Sequence, residues 1–212
     1  MKHKIKHILI IANGEPPGED LLKRLVTSAD LIIAADGGSK LCRQRRIRPD
    51  VIIGDFDSLE QETLTYFDQA VVIHEPDQDT HDLHKALRYA QKQNPARISI
   101  VAAFGKRLDH TLANLLLFQI EPINSEITFY DDHGELTVAH NSKQLNLPIG
   151  TTISLFSFLP VSGVSLSGFE FPLQNADFPN GFNGLSNTVQ SETATISISQ
   201  GFLYLYRTYA NH

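Results

Sequence analysis

Six short, mostly apolar runs recur through the first part of the chain, and segments with the apolar spacing of helices separate most of them. A strand that is buried on both faces needs no alternation of polar and apolar residues, so such runs are typical of a parallel sheet covered by helices. The order of strands and helices therefore predicts a doubly wound, mostly parallel sheet with helices on both faces. The predicted strands are residues 8–12, 31–35, 51–53, 70–73, 98–103 and 127–130.

The pattern changes after residue 134, where helical periodicity stops and short β-rich runs alternate with turns that contain proline, glycine or asparagine. Residues 193–199 alternate strictly enough to predict a half-buried antiparallel strand. We therefore predict an α/β domain of residues 1–134, followed by an all-β sandwich or barrel of residues 135–212. A β unit of this size has only a small core of its own, so we expect it to pack against something, such as a second chain.

Composition excludes several classes of protein. A net charge of −6 disfavours a nucleic-acid binder that neutralises phosphates, so no nucleic-acid partner is expected. The single cysteine, Cys42, excludes an internal disulfide framework and a cysteine-rich zinc site, and a reducing cytoplasm is the expected location. The first apolar run is too short for a secretory signal or a membrane span, so we expect no membrane partner either.

Polar and glycine-rich clusters follow the predicted strands at their carboxyl ends, which is where ligands bind in open α/β sheets. Backbone amides can approach a ligand closely at the glycines in these clusters, which predicts a ligand site at this edge of the sheet. The clusters are Asn13-Gly14, Asp36-Gly37-Gly38, Asp55-x-Asp57, residues 77–82 and residues 105–110.

Asp55 and Asp57 follow the third predicted strand at i, i+2 spacing, which points both carboxylates the same way in an extended backbone. Two like charges side by side need a cation, and Mg²⁺ accepts carboxylate oxygens while keeping room for water and phosphate. The alternative is a solvated acidic turn. Asp82 also has a purely structural explanation, because a negative charge at the N-terminus of a helix interacts favourably with the helix dipole.

Lys106 and Arg107 place positive charge among many carboxylates, which favours phosphate recognition. A structural ion pair between Arg107 and a neighbouring aspartate explains that residue equally well. The histidines do not predict zinc, because the chain has neither cysteine ligands nor a His-Glu-x-x-His pattern.

Four motifs, in this order along the chain, resemble those of the thiamine pyrophosphokinase family. They are Gly54-Asp-Phe-Asp-Ser58, Asp77-Gln-Asp-Thr-His-Asp-Leu-His-Lys85, Gly105-Lys-Arg-Leu-Asp-His110 with Asn114, and Gly184-Leu-Ser-Asn187. The resemblance covers essentially the whole chain, including the change to a β-rich second half. It implies ATP-dependent transfer of a diphosphoryl group, with Mg²⁺, to the hydroxyl of thiamine, which yields AMP and thiamine diphosphate.

The resemblance also implies roles for individual residues. Asp55 and Asp57 fall at the metal and phosphate centre, and Asp82, Arg107 and Asp109 lie close to it as catalytic candidates. Asp82, Ser186 and Asn187 are implied to bind thiamine, and the family is typically a homodimer with thiamine sites between subunits. The implied nucleotide-binding residues are Asn13, Gly14, Asp36, Gly37, Gly38, Gln78, Thr80, Lys106 and Arg107.

Three departures from the family pattern bear on the acceptor. Lys106 stands where glycine is expected, and His81 stands where threonine is usual. The chain has no tryptophan, which some members place against the thiamine ring, so another aromatic residue such as Phe182 is the candidate substitute. Two alternatives remain open: a pyrophosphokinase for another small alcohol such as a hydroxymethyl pterin, and a non-catalytic nucleotide- or thiamine-binding regulator.

Overall fold

The computed structural model describes residues 4–56, 65–77, 79–120 and 124–209. The chain divides into two compact units, Met1–Asp132 and His133–His212. Among the described residues, no helix combines the length and apolar character needed to cross a membrane.

The first unit contains a parallel sheet, as predicted. Its strands lie in the order β6-β5-β1-β2-β3-β4, and each neighbouring pair is parallel. The chain therefore adds strands on one side of β1 as far as β4, and then crosses to the other side of β1 to add β5 and β6. The strands are β1 (His7–Ile11), β2 (Leu31–Ala35), β3 (Val51–Gly54), β4 (Val71–His74), β5 (Arg97–Val101) and β6 (Glu126–Tyr130).

Four described helices accompany these strands: α1 (Glu19–Ser28), α2 (Gly38–Gln44), α3 (Asp82–Lys92) and α4 (Leu108–Ile120). One face of the sheet, with Leu9 and Ile11, forms a buried cluster with Leu22 of α1 and Leu41 of α2. Alternate strand residues such as Ile10 are buried on the other face, and α3 packs against β1, β2 and β3. Helices thus cover both faces, which explains why the strands are apolar throughout.

The second unit is a β sandwich of two four-stranded antiparallel arrangements, ordered β12-β9-β14-β7 and β11-β10-β13-β8. Its core includes Ile153, Leu155, Val164 and Ile196, all at 0% exposure. The strands are β7 (Gly134–Ala139), β8 (Ser142–Asn146), β9 (Thr152–Ser157), β10 (Val161–Ser167), β11 (Leu173–Phe178), β12 (Phe182–Thr188), β13 (Thr193–Ser197) and β14 (Leu203–Thr208).

Three of these strands, β8, β11 and β12, carry no clear strand pattern in the sequence. Each ends one of the two strand orders in the second unit, and most of its side chains are exposed or half-buried. A strand at such an edge buries few side chains, so its sequence has no need of a regular apolar alternation.

Candidate active site

The crossover from β4 to β5 makes β1 and β5 neighbours and creates a switch point at their carboxyl ends, where open α/β sheets bind ligands. A pocket of about 200 Å³ lies at this point. Its lining comes from the loops after β1 and β5, the end of β2, and the N-terminal parts of α3 and α4. The lining residues are Ala12, Asn13, Gly14, Ala35, His81, Asp82, Leu83, Ala102, Ala103, Gly105, Lys106, Arg107, His110 and Asn114.

Backbone hydrogen bonds join the two loops that form the floor of the pocket. The Gly14 amide donates to the Ala102 carbonyl at 2.5 Å, and the Glu15 amide donates to the Phe104 carbonyl at 2.8 Å. A Cβ atom at Gly14 would lie 2.2 Å from the Phe104 carbonyl oxygen, so only glycine permits this approach. Gly14 therefore lines the pocket and also holds its two loops together.

The Asp36-Gly37-Gly38 turn supports the pocket from the end of β2. A Cβ atom at Gly38 would lie 2.1 Å from the Ile11 carbonyl oxygen, and one at Gly37 would lie 2.3 Å from Nδ2 of Asn13. Asp36 is buried and has a φ of 33°, in a region that non-glycine residues rarely adopt. The two glycines predicted to bind nucleotide thus have a packing role beside the pocket.

Two carboxylates meet a buried lysine next to the pocket. Asp55 follows β3 and Asp82 begins α3, while Lys85 lies one turn further along α3 with 3% of its surface exposed. The Lys85 Nζ atom is 3.7 Å from Oδ2 of Asp55 and 4.0 Å from Oδ1 of Asp82. The sequence motifs include Lys85 only as the last residue of the second motif and give it no role, although its i, i+3 spacing from Asp82 places both on one helix face.

The second carboxylate of the predicted pair, Asp57, lies outside the described residues, as does Gln78. Within the described part of the chain, no group of three or more His, Cys, Asp or Glu side chains could hold a metal ion. Asp55 offers hard oxygen donors at a place where two carboxylates already face one positive charge. This donor chemistry fits Mg²⁺, which is commonly held by one or two carboxylates together with water and substrate phosphates.

Lys106 and Arg107 stand at the exposed rim of the pocket. Lys106 Nζ donates to the backbone carbonyl of Asn13 at 2.9 Å, and its backbone φ is 51°. Arg107 makes a two-pronged ion pair with Asp109, in which Nε lies 3.0 Å from Oδ1 and Nη2 contacts Oδ2. The ion pair considered as an alternative for Arg107 is therefore present, with both side chains more than 60% exposed.

The pairing with Arg107 also changes the chemistry of Asp109. Its hydrogen bond from Arg107, with a smaller contribution from the His110 amide, lowers the pKa of the Asp109 carboxyl to about 2. A carboxylate with so low a pKa is a weak base, so it is poorly matched to accepting a proton near neutral pH.

Thr80 belongs to the turn that leads into α3. Its hydroxyl donates to Oδ2 of Asp77 at 2.9 Å, and the Asp79 amide donates to Oδ1 of Asp77 at 3.0 Å. The Asp79 amide and then the Thr80 hydroxyl hold the pKa of the Asp77 carboxyl below its usual range. In this arrangement the Thr80 hydroxyl helps to fix the turn that precedes α3.

His81 immediately precedes α3 and lines the pocket. Burial, followed by the nearby His84 and His110, lowers the pKa of its imidazole to about 4, against an opposing hydrogen bond with the Ala113 backbone. The imidazole ring of His81 is therefore uncharged at pH 7.

The depressed pKa predicts acid sensitivity of the fold. The unfolded chain binds a proton at His81 near pH 6.5 but the folded chain only near pH 4, so this contribution to stability is complete above about pH 6.5 and is lost as the pH falls toward 4. We expect His81→Gln to recover about 1–2 kcal/mol of the stability that wild type loses between pH 7 and 4.5, a value reduced for partial solvent screening. Urea unfolding at both pH values measures this, and a His81→Gln variant that loses as much stability as wild type would contradict it.

Two of the three residues implied to bind thiamine, Ser186 and Asn187, lie in β12, where the strand bulges between Gly184 and Asn187, whereas Asp82 begins α3. Ser186 is exposed and has a φ of 56°, so it holds a strained backbone on the surface. Asn187 is buried: its Oδ1 accepts from the amides of Phe171 and Thr188, and its Nδ2 donates to the Phe171 carbonyl at 2.9 Å. In this structure the Asn187 side-chain amide therefore links β12 to the backbone of Phe171.

Comparison with known proteins matches both parts of the chain. Residues 22–129 match the thiamin pyrophosphokinase catalytic domain, and residues 136–203 match the thiamin pyrophosphokinase vitamin B1 binding domain. The chain belongs to the thiamine pyrophosphokinase family. The resemblance found in its motifs is therefore confirmed.

Relatives in this family resemble the chain over most of its length. Thiamine pyrophosphokinase 2 of Arabidopsis thaliana is 29% identical, over 94% of this chain and 85% of its own. Thiamine pyrophosphokinase 3 of Oryza sativa subsp. japonica is also 29% identical, over 91% and 83% of the two chains. The crystal structure of thiamine pyrophosphokinase from Bacillus subtilis superposes with a TM-score of 0.82 at 25% identity, over 97% of this chain and 100% of that one.

Proposed function

We propose that the protein is a thiamine diphosphokinase, which transfers the diphosphoryl group of ATP to the hydroxyl of thiamine and releases AMP. One observation of the structure supports this most directly: the pocket at the switch point joins Lys106 and Arg107 on one side to Asp82 on the other, with Asp55 beside Lys85. Cations suit the phosphates of a nucleotide, and a carboxylate suits the hydroxyl that attacks them.

In the proposed reaction, the thiamine hydroxyl oxygen forms a bond to the β-phosphorus of ATP. The bond from that phosphorus to the oxygen bridging it to the α-phosphate breaks, and AMP leaves with the electron pair. Lys106 and Arg107 stabilise negative charge on the transferring group, while Asn13 and Gly14 contribute to the nucleotide site. Asp82 orients the hydroxyl and accepts its proton, because Asp109 is too weak a base in its pair with Arg107.

A divalent cation belongs to the proposed site, and Asp55 with Asp57 would hold it. Such a cation, Mg²⁺ in our proposal, supplies positive charge that neutralises phosphate oxygens. Gln78 and Thr80 complete the proposed nucleotide side, and the Asp36-Gly37-Gly38 turn supports it.

The acceptor side of the proposal involves the second unit. We assign Ser186 and Asn187 to thiamine binding: exposed Ser186 through contact, and Asn187 by fixing the strand next to it.

We further propose that the protein acts as a homodimer in the cytoplasm. Phe171 and Leu185, which are 64% and 61% exposed, are apolar residues that a second subunit could cover, and light scattering of the purified protein would determine its oligomeric state.

Product analysis tests the proposed reaction. The protein is incubated with ATP, MgCl₂ and thiamine, and the products are separated by chromatography. We expect AMP and thiamine diphosphate in equal amounts, and no turnover when a hydroxymethyl pterin replaces thiamine. ADP with thiamine monophosphate would mean transfer of a single phosphoryl group and would contradict the proposal.

Lys106 provides a separate test of the nucleotide site, because its left-handed backbone conformation favours glycine. We expect Lys106→Gly to keep or slightly raise the stability of the fold, by up to about 1 kcal/mol, since it relieves backbone strain. The same change should raise the KM for ATP roughly fivefold to tenfold, equivalent to about 1–1.4 kcal/mol, since it removes a cation from the pocket rim.

Arg46 is a matched control for Lys106. It is also basic and exposed, and its φ is 55°, but it follows α2 and does not line the pocket. Arg46→Gly should therefore reproduce the stability change and leave the KM for ATP at the wild-type value. Equal KM values for the two variants and wild type would remove Lys106 from the nucleotide site.

A further inference from the structure

Among the described residues in and next to the pocket, Lys85 is the one that is both cationic and buried. Its side chain is 2% exposed, whereas those of Asp55 and Asp82 are 24% and 38% exposed. The ammonium group thus lies beneath two carboxylates that reach toward solvent. Leu83, Ala86 and Leu87, its neighbours on α3, are buried apolar residues of the same helix.

This placement is costly if its purpose is stability alone. Removing an ammonium group from water has a desolvation penalty, and a well-packed apolar side chain of similar volume often stabilises a fold as well or better. The distances of 3.7 and 4.0 Å to the two carboxylates are at the long end for ion pairs. A tight structural ion pair would have shorter contacts with one partner, whereas Lys85 is shared between two.

The position of the two partners suggests a different role. Asp55 belongs to the end of β3 and Asp82 to the start of α3, so their carboxylates are brought together only by the packing of α3 on the sheet. Without a positive charge nearby, the two negative groups would repel each other and draw in any available cation. Lys85 supplies that charge from the protein itself.

We propose that Lys85 is a positioning residue, whose buried ammonium is the fixed counter-charge of the Asp55 and Asp82 carboxylates. Because Lys85 already offsets part of their charge, the free protein binds a divalent cation only weakly. Asp55 would then hold the cation well only when the phosphates of the nucleotide supply the missing negative charge. This inference rests on the proposed function and extends it by assigning Lys85 a role in how the site takes up its cation.

Direct metal binding tests the proposal without relying on turnover. Mn²⁺ serves as the probe, and its free concentration is followed by electron paramagnetic resonance. The titration is done with the protein alone and again with the α,β-methylene analogue of ATP, in which the bond broken by diphosphoryl transfer cannot be cleaved. The variants are Lys85→Met, Lys85→Gln and Lys92→Met, the last of which removes the same charge from an exposed position in the last turn of α3.

We expect Lys85→Met and Lys85→Gln to bind Mn²⁺ alone at least fivefold more tightly than wild type, while their kcat falls at least a hundredfold. Wild type and Lys92→Met should bind Mn²⁺ weakly alone and at least tenfold more tightly with the nucleotide analogue. A purely structural lysine would lower metal binding and turnover together, so unchanged or weaker Mn²⁺ binding by both folded Lys85 variants overturns the inference. Failure of wild type to form thiamine diphosphate would reject the proposed function instead, and the Mn²⁺ titrations would still decide the role of Lys85.

Discussion

Asp55→Asn is expected to lower kcat by a factor of roughly 10²–10⁴ with little change in the fold. The substitution keeps the size of the side chain and removes its negative charge at the carboxyl end of β3. Asp82 still faces Lys85 in the variant, so the free energy of unfolding should change by no more than about 1–2 kcal/mol. Rates of AMP formation at saturating substrates and urea unfolding measure the two effects separately.

Asp50 is the control for Asp55 among the aspartates that flank β3. It precedes β3 at the opposite end of the sheet, and its Oδ2 accepts a hydrogen bond from the Ile32 amide at 2.7 Å. Asp50→Ala leaves that amide unpaired and should cost about 1–3 kcal/mol of stability, while the folded protein keeps its kcat. If Asp55→Asn instead behaves like Asp50→Ala, losing stability and keeping turnover, Asp55 has no part in the chemistry.

Arg107→Ala is the second variant with a large expected effect, a fall in kcat/KM for ATP of roughly 10²–10³-fold. Its ion pair with Asp109 is exposed, and exposed pairs contribute about 0–1 kcal/mol to stability. The variant should therefore unfold within about 1 kcal/mol of wild type. Arg107→Lys should restore only part of the activity, because an ammonium group cannot bind two phosphate oxygens with the fixed fork of a guanidinium.

The Arg45–Glu19 pair provides the comparison for Arg107. It is another exposed arginine–carboxylate pair, with a distance of 2.7 Å, and it links α2 to α1 away from the pocket. Arg45→Ala should lose as little stability as Arg107→Ala and keep wild-type activity. Equal activities of the two alanine variants would mean that Arg107 serves only its ion pair with Asp109.

The first unit could be predicted closely because its strands are buried on both faces. Ile8, Leu9, Ile10 and Ile11 are all 0% exposed, so β1 had to be a continuous apolar run that stands out in the sequence. The polar strands at the ends of the β sandwich carried no such signal. Asn187 illustrates the same limit, because its amide bonds to Phe171 through a contact between segments sixteen residues apart.

Part of the pocket lining could be predicted for a similar reason. Residues that follow strands, such as Asn13 and Asp55, were identifiable because every parallel strand brings its carboxyl end to the same edge. Lys85 was not identified, since its burial depends on how α3 packs against the sheet. Nor could the sequence distinguish a phosphate-binding Arg107 from a paired one, because the partner of an exposed side chain depends on the local path of the loop after β5.

The amino-acid sequence by itself determined the order of strands and helices, the change to a β-rich second unit and the family. It did so because the continuous apolar runs of strands buried on both faces, and the short motifs, can be recognised in local sequence. Only the tertiary structure decided which polar groups meet. The crossover that places β5 beside β1 brings Lys106 to Asn13, and the packing of α3 brings Lys85 between Asp55 and Asp82. The Lys106–Asn13 and Lys85–Asp55 contacts join residues distant in sequence, so they follow from packing, whereas Lys85 and Asp82 lie only three residues apart on α3.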